Sequence, residues 1–243
     1  MDFGATWPSH QYHPNYFSIF VSSTTPSSMS KLTADDLIYG YINGIFPMAD
    51  ADGTLYWYAP DPRAVIPIDT YKPAKSLRPI LNKNEFEVRI NTDFEQVMRY
   101  CSIPRSTDDS VWISEELIGA YTELHRLGLA HSVETYVDNR LVGGLYGVAL
   151  GSAFFGESMF HHVSNASKVA FHQLILLLRE QRFSLLDTQF INDNVRRYGA
   201  IEIPKADYLK QLKAAVRKKT RFTEPVLEHP FSNHKLKTQK PQT

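Results

Sequence analysis

Residues 131–160 read HSVETYVDNRLVGGLYGVALGSAFFGESMF, and the fold class follows from this segment. It contains two runs rich in β-branched and aromatic residues, 131–137 and 140–148, which meet at Asp138-Asn139. Such a pair between two strands is typical of a tight hairpin. A third run of the same kind begins at Ser152. Three successive strands predict an antiparallel meander.

The segments on both sides of the meander extend it into a mixed fold. A strand at 86–90 and two helices precede it, the first opened by a capping box of Thr92 and Glu95. An apolar helix from Asn165 to about Arg182 and a strand at 184–189 follow it, and a short helix, a strand and a last helix complete the pattern. This order predicts an α/β (α+β) sandwich that resembles acyltransferase domains of the GNAT type.

Composition and pattern divide the chain into four parts. Residues 1–30 are rich in Ser, Thr, Pro, Tyr and His and predict a poorly structured lead-in. A helix and short strands over 31–80 predict a small N-terminal α+β domain. Residues 81–222 form the predicted catalytic domain, and 223–243 form a basic tail that we expect to be disordered.

Composition limits the classes of protein that this chain can be. Its 243 residues carry 26 basic and 26 acidic side chains, so any attraction to nucleic acid must come from a local patch. No segment has the roughly 20 apolar residues that a membrane span needs. The single cysteine, Cys101, excludes an internal disulfide framework. A secretory leader pattern is absent, which favours the cytoplasm.

A basic segment and a set of aromatic residues are candidates for contact with nucleic acid. Residues 205–221 hold seven Lys or Arg side chains against one acidic residue, Asp207. Aromatic rings can stack on exposed bases, each stack contributing about 1–3 kcal/mol. The commoner alternatives are a solvated helix face for the basic residues and core packing for the rings. The aromatic candidates are Tyr56, Trp57, Tyr58, Trp112 and Tyr121.

Two carboxylates lie in apolar surroundings that suit catalytic chemistry. Glu157 follows an aromatic strand end, where it is either a loop cap or an acid with a shifted pKa. Asp187 lies inside an apolar strand, and strand alternation puts Gln189 on the same face. Asp187 is therefore either a surface residue at an edge or a carboxylate held by the neighbouring amide. Such a group can orient an amine or accept its proton.

Other catalytic and cofactor motifs do not occur in the sequence. No histidine pair has a recognised metal-ligand spacing, so no metal is predicted. The chain has no phosphate-binding loop of the G-x-x-x-x-G-K-[ST] type, no G-x-G-x-x-G and no G-x-S-x-G. These absences weaken nucleotide hydrolysis and serine hydrolysis as functions.

Four blocks of sequence are similar to those of the leucyl/phenylalanyl-tRNA–protein transferase family. The similarity spans roughly residues 33–212, with the order and spacing of the family throughout. The blocks are Tyr41–Pro47; Tyr56–Arg63; His131–Glu134 with Leu141–Gly147, Gly156–Phe160 and Asn165–Lys168; and Leu186–Gln189 with Gly199–Pro204.

The resemblance implies a cytoplasmic enzyme that transfers an amino acid from aminoacyl-tRNA to the α-amine of proteins with N-terminal Arg or Lys, marking them for degradation. It implies an N-terminal domain joined to a GNAT-like domain, and neither metal nor coenzyme A. The catalytic residues of the family correspond to Glu157, Asp187 and Gln189. The pocket for the donor side chain corresponds to Leu145, Phe154, Met159, Phe171, Leu174 and Leu178.

The resemblance also implies contacts with the tRNA. Trp112 and Tyr121 match aromatic residues near the terminal adenosine, and Arg78 matches part of a basic pair in the linker. The basic last helix supplies three further candidates, Lys213, Arg217 and Lys218. Two of the departures from the family pattern concern the substrate. Met48 replaces a common Trp on the adenosine side, and Leu145 replaces a frequent Met, so the donor preference can shift among Leu, Phe and Met.

The expected mechanism is attack of the incoming amine on the aminoacyl ester. Asp187, oriented by Gln189, would position or deprotonate the amine, and Glu157 would bind the acceptor or support the network. Two other classes of protein remain as alternatives. A coenzyme A-dependent acetyltransferase would need a glycine-rich loop where this chain has His161–Asn165. A noncatalytic tRNA-binding module would tolerate loss of Asp187 and Gln189.

Overall fold

A computed structural model describes residues 31–50, 53–104 and 112–223. The predicted lead-in and all but the first residue of the predicted tail lie outside these ranges. The elements, in chain order, are α1 (Ala34–Ile42), β1 (Phe46–Ala49), β2 (Leu55–Tyr58), β3 (Arg63–Val65), a 3-10 turn (Lys75–Leu77), α2 (Arg78–Lys83), β4 (Glu87–Ile90), α3 (Phe94–Cys101), α4 (Glu115–Arg126), β5 (Ala130–Val137), β6 (Arg140–Leu150), β7 (Ala153–His161), α5 (Ala166–Glu180), β8 (Leu185–Gln189), α6 (Asp193–Arg197), β9 (Ile201–Ile203) and α7 (Lys205–Val216).

Local sequence signals set several of these boundaries. Helix α1 begins with a capping box, in which the Thr33 hydroxyl accepts a bond from the Asp36 backbone N–H and the Asp36 carboxylate accepts one from that of Thr33. The hairpin between β5 and β6 turns at Asp138 and Asn139, whose φ angles of 49° and 59° are left-handed. The predicted hairpin is confirmed.

The start of helix α3 differs from the prediction. Its N-cap is Asp93, and no side chain of the helix's own segment caps it. Instead, the buried Glu134 carboxylate accepts hydrogen bonds of 2.9 Å from the backbone N–H groups of Thr92 and Asp93. The predicted Thr92–Glu95 capping box is therefore wrong. The backbone donors at the start of the helix are satisfied by a carboxylate of β5, which is distant in sequence.

The described strands form a two-stranded sheet, β1–β2, and a seven-stranded mixed sheet in the order β4-β5-β6-β7-β8-β3-β9. Strands β4 to β7 pair antiparallel, which confirms the meander. Strand β8 pairs parallel with β7, and helix α5 makes the crossover between them. The predicted mixed α/β fold is confirmed. Strand β3 comes from the range predicted as the N-terminal domain, yet it pairs with β8 and β9 in the large sheet.

The large sheet separates two apolar clusters of described residues. The first cluster joins α1, α3, α4 and α7 to one face through side chains such as Leu37, Val97 and Tyr146. The second cluster packs α5 on the opposite face, against Leu145 and Phe154. Adjacent residues Leu145 and Tyr146 belong to different clusters because successive side chains of a strand point to opposite faces. Within the described ranges, no helix combines the length and apolar character needed to cross a bilayer.

Candidate active site

The candidate site lies where β7 and β8 stop pairing. Their parallel ladder ends at the pair Phe155 and Asp187, although β7 continues to His161. On the other side of β7, Tyr146 pairs with Ser158 and Gly147 pairs with Gly156, so Glu157 is left over as a bulge. Bulges redirect side chains and are frequent beside active sites. This one lets Glu157 face the first cluster while Met159, two residues later, packs against the second.

Asp187 forms the centre of a buried ion pair. Its carboxylate accepts hydrogen bonds from Arg63 Nε at 2.9 Å and Arg63 Nη2 at 2.7 Å. The Tyr208 hydroxyl donates a third at 2.6 Å, and the Gln189 backbone N–H donates a fourth at 2.9 Å. Asp187 has no exposed surface. Four donors fill the acceptor positions of its two oxygens. This group, Arg63, Asp187 and Tyr208, is called the ion-pair centre below.

Arg63, at the centre of this candidate site, was not singled out from the sequence. Its side chain is 1% exposed and lies between the rings of Phe46 and Tyr208, at 4.8 and 4.6 Å from their centroids. Its third nitrogen, Nη1, donates to the Gly44 carbonyl at 3.1 Å. Burial, the largest single effect, lowers the pKa of Arg63, but the charge and hydrogen bonds of Asp187, together with Tyr208 and Glu157, outweigh it and raise the pKa. The available signal was an arginine directly after the Ala59-Pro-Asp-Pro62 turn.

Glu157 is partly exposed and has different partners from Asp187. The Gln189 side-chain amide donates to its Oε1 at 2.8 Å, and the Tyr121 hydroxyl donates to its Oε2 at 3.3 Å. Tyr41 is hydrogen-bonded to Tyr121 behind this contact. Burial of the carboxyl group, together with the negative charge of Asp187, raises the pKa of Glu157 to about 7, against the opposing effect of the two tyrosine hydroxyls. Glu157, Gln189, Tyr121 and Tyr41 are called the Glu157 group.

Gln189 connects the two carboxylates. Its backbone N–H is bonded to Asp187 and its side chain to Glu157. Its φ angle of 60° is left-handed, a conformation that a non-glycine residue adopts at a cost of about 1–3 kcal/mol. The bond from Asp187 to the Gln189 backbone helps to hold this conformation. The three residues predicted as catalytic are therefore joined in one hydrogen-bonded chain.

The six residues predicted to line the donor pocket all belong to, or pack against, the second cluster. Met159 is partly exposed, packs against the second cluster and accepts a contact of 3.7 Å from the Tyr198 hydroxyl. Leu145 and Met159 are directly paired on β6 and β7. The other members are at most 4% exposed. The six residues are Leu145, Phe154, Met159, Phe171, Leu174 and Leu178.

The predicted tRNA contacts differ in their surroundings. Tyr121 has no exposed surface, and its ring makes edge contacts with Tyr41 and Tyr146, so it cannot stack on a base. The Tyr121 hydroxyl donates to Glu157 instead, and its contact with the terminal adenosine stays a prediction. Trp112 is partly buried at the border of the first cluster. The remaining candidates are exposed: Arg78 at the start of α2, Lys213 on α7, and Arg217 and Lys218 directly after it.

Two cofactor questions were raised by the sequence. In the described part of the chain, no group of three or more His, Cys, Asp or Glu side chains is arranged to hold a metal ion. The connection from β7 to α5 contains no glycine, and the Asn165 side chain in it accepts a bond from Lys168 at 2.9 Å. This connection lacks the glycine-rich sequence that a coenzyme A pyrophosphate loop requires.

The mixed sheet places a carboxylate–amide chain where a parallel strand pair ends, an arrangement that can orient an amine or accept its proton. Comparisons with known proteins identify the family. Residues 65–213 match the family described as leucyl/phenylalanyl-tRNA protein transferase, and residues 30–61 match the N-terminal domain of the same family. The chain therefore belongs to the leucyl/phenylalanyl-tRNA protein transferase family, which consists of aminoacyltransferases.

Individual relatives agree with this assignment. The chain is 49% identical over 192 residues to the leucyl/phenylalanyl-tRNA–protein transferases of Prosthecochloris aestuarii and Chlorobaculum tepidum, covering 79% of this chain and 99% of each relative. The Gloeobacter violaceus enzyme is 49% identical over 186 residues, covering 76% and 94%. Among solved structures, L-PGS from Bacillus licheniformis matches with a TM-score of 0.39 and 10% identity, covering 75% of this chain and 70% of that one.

Proposed function

We propose that this protein transfers Leu, Phe or Met from aminoacyl-tRNA to the α-amine of proteins that begin with Arg or Lys, in the cytoplasm, and so marks them for degradation. The names of the relatives support the aminoacyl-tRNA donor and the protein acceptor. The observation that carries the proposal is the hydrogen bond that the Gln189 amide donates to Glu157. This bond joins β8 to β7 just beyond the point where the two strands stop pairing, beside an apolar cluster.

The apolar cluster suits the donor side chain. Leu145 and Met159 are paired next to the Glu157 bulge but on the opposite face of the sheet, so the ester carbonyl of a residue held against them would reach Glu157 through the opening where β7 and β8 stop pairing. A hydrophobic pocket distinguishes side chains mainly by volume, at about 1–3 kcal/mol per methylene. This weak selectivity fits a site that accepts several large apolar amino acids.

The reaction forms an amide bond and breaks an ester bond. The acceptor amine attacks the carbonyl carbon of the aminoacyl ester, and the terminal ribose oxygen of the tRNA leaves. Glu157, in its carboxylate form, takes one proton from the attacking amine, and that proton can pass to the departing ribose oxygen. A pKa of about 7 keeps both forms of Glu157 available near neutral pH. Positioning supplies much of the rate, because the ester is already activated.

Asp187 acts in this proposal as a positioning residue and not as the base. It is fully buried, and Arg63, Tyr208 and Gln189 fill its acceptor positions, which leaves none for an amine. The proposal differs here from the sequence-based hypothesis that Gln189 orients Asp187 toward the amine: Asp187 accepts a hydrogen bond from the Gln189 backbone, and the Gln189 side chain reaches Glu157. The Gln189 side chain can then orient the amine through its carbonyl oxygen.

The tRNA surface in this proposal includes Lys213, Arg217 and Lys218. All three are exposed, and helix α7, which carries or immediately precedes them, contributes Tyr208 to the ion-pair centre. Phosphates bound along this helix would therefore bring the tRNA end toward the site. Trp112, partly buried at the border of the first cluster, remains the candidate for contact with the terminal adenosine.

The experiment is transfer of radiolabelled leucine from Leu-tRNA to peptides that differ only in their first residue, Arg, Lys or Ala. We expect product with the first two peptides and none with the third. A protein that binds tRNA without transferring leucine is a binding module. Binding of acetyl-CoA in a calorimetric titration, with acetylation of the same peptides, would instead identify an acetyltransferase.

A further inference from the structure

The segment that follows helix α7 returns to the second cluster, where its aromatic residue Phe222 is buried. The Phe222 ring is 7% exposed and stacks on the His131 ring with centroids 4.5 Å apart. It also contacts the rings of Phe154 at 5.5 Å and Phe183 at 6.2 Å. Three rings from β7, from the end of the α5 crossover and from this segment therefore pack against one another.

Two hydrogen bonds between the Gln181 side chain and the Thr223 backbone hold this segment in place. The Gln181 side-chain amide donates to the Thr223 carbonyl at 2.6 Å, and its Oε1 accepts from the Thr223 N–H at 3.1 Å. Gln181 lies directly after α5, the helix that carries Phe171, Leu174 and Leu178. The residue next to Phe222 is thus tied to the same element as half of the predicted donor pocket.

Phe222 restricts the position of Phe154. On one side, the Phe154 ring lies over Gly147, where an added Cβ would be only 2.5 Å from its Cε1 atom. On another side, Phe222 and Phe183 pack against it. The Phe154 ring has no exposed surface, and close-packed side chains move only when a neighbour moves. Of the rings packed against Phe154, that of Phe222 comes from the segment after α7.

We propose that Phe222 is a positioning residue that sets the depth of the donor pocket, and hence the preference between Phe and Leu, by holding the Phe154 ring. The proposal rests on the proposed aminoacyl transfer. Phe222 lies outside the residues that match the family, 30–61 and 65–213. Removal of its ring would let Phe154 move outward, deepening the pocket and favouring the larger donor.

The test is a competition between Phe-tRNA and Leu-tRNA in one reaction, with the two peptide products measured by mass spectrometry. Their ratio reports the ratio of kcat/KM values and is independent of how much enzyme is folded. We expect Phe222→Ala to raise the Phe:Leu product ratio about 10-fold, a change at the lower end of what one methylene gives in an apolar pocket. Phe222→Leu should fall between this variant and the wild type.

Two further variants keep the test decisive. Gln181→Ala removes the hydrogen bonds to Thr223 while every ring of the cluster remains, and should raise the ratio by a smaller factor. If Phe222→Ala does not fold, Gln181→Ala and Phe222→Leu together decide whether Phe222 sets the preference. Met98→Ala removes a fully buried side chain from the first cluster and should leave the ratio unchanged.

An unchanged ratio in Phe222→Leu and Gln181→Ala, with an active wild type, overturns this inference alone. A wild type that transfers neither amino acid overturns the proposed function as well.

Discussion

The two carboxylates of the site lie in contrasting surroundings, although Asp187 is paired with a residue only two positions before Glu157. Asp187 is fully buried and accepts hydrogen bonds from the Arg63 guanidinium, the Tyr208 hydroxyl and a backbone N–H. Glu157 is partly exposed, receives one amide and one phenol hydrogen bond, and has a raised pKa of about 7. In the proposed mechanism, its four hydrogen bonds make Asp187 a structural support, and the smaller number of partners leaves Glu157 able to exchange a proton.

The largest expected effect comes from breaking the ion-pair centre. Arg63→Met leaves Asp187 buried without its cation, and loss of one partner of a buried pair costs about 3–5 kcal/mol. We expect the free energy of unfolding, measured by urea denaturation, to fall by that amount in Arg63→Met and in Asp187→Leu. The double variant should lose much less than the sum of the two. Additive losses would show that the two side chains do not stabilise each other.

Glu157→Gln should affect the reaction while leaving the fold intact. Loss of a general base typically lowers turnover by about 10²–10⁴-fold. In the wild type, transfer should rise with pH through about 7 as Glu157 loses its proton, and the variant should lack this rise. Single-turnover transfer rates between pH 5.5 and 8.5 measure both effects. A variant that retains the full rate and the rise would exclude Glu157 as the base.

The same substitution has an opposite consequence for stability. The folded-state pKa of Glu157 is raised above the unfolded value of 4.5, so the native protein holds the proton more tightly. The wild type should therefore lose stability as pH rises from about 4.5 to 7, and Glu157→Gln should lack this loss. We expect the variant to be at least as stable as the wild type at pH 8 in thermal unfolding. A clear destabilisation at that pH would contradict the raised pKa.

Tyr121→Phe tests the Glu157 group more gently. The Tyr121 hydroxyl stabilises the carboxylate form, so its removal should move the midpoint of the pH–rate profile upward. One hydrogen bond contributes about 0.5–1.5 kcal/mol, which predicts a loss of rate at pH 7 of roughly 10-fold or less. The affinity for tRNA should stay the same, because the ring is buried. A large loss of tRNA affinity would instead indicate that Tyr121 contacts the terminal adenosine.

The smallest effect on the chemistry should come from the surface of α7. Replacing Lys213, Arg217 and Lys218 with Ala should weaken tRNA binding and lower the slope of log affinity against log salt by about 0.7 for each phosphate that the variant no longer neutralises. Turnover at saturating tRNA should be nearly unchanged. Filter binding at several salt concentrations measures the slope, and an unaltered slope would show that the tRNA binds elsewhere.

Local patterns in the sequence were sufficient for most of the fold. The hairpin at Asp138-Asn139 and the apolar helix α5 follow from patterns within a few residues, and the structure has both. The capping box at Thr92 failed because Glu134, about 40 residues away, competes for the same donors. Local rules describe only the partners that the local chain can supply.

The sequence by itself determined the order of the elements from β4 to α7, the family, and Glu157, Asp187 and Gln189 as a candidate group. Only the tertiary structure decided which carboxylate faces which partners. Arg63 reaches Asp187 across 124 residues of sequence, and the bulge at Glu157 is visible only in the pairing of β6 with β7. Burial and hydrogen bonding decide whether an acid supports the fold or exchanges protons, and both arise from segments that meet only when the chain is folded.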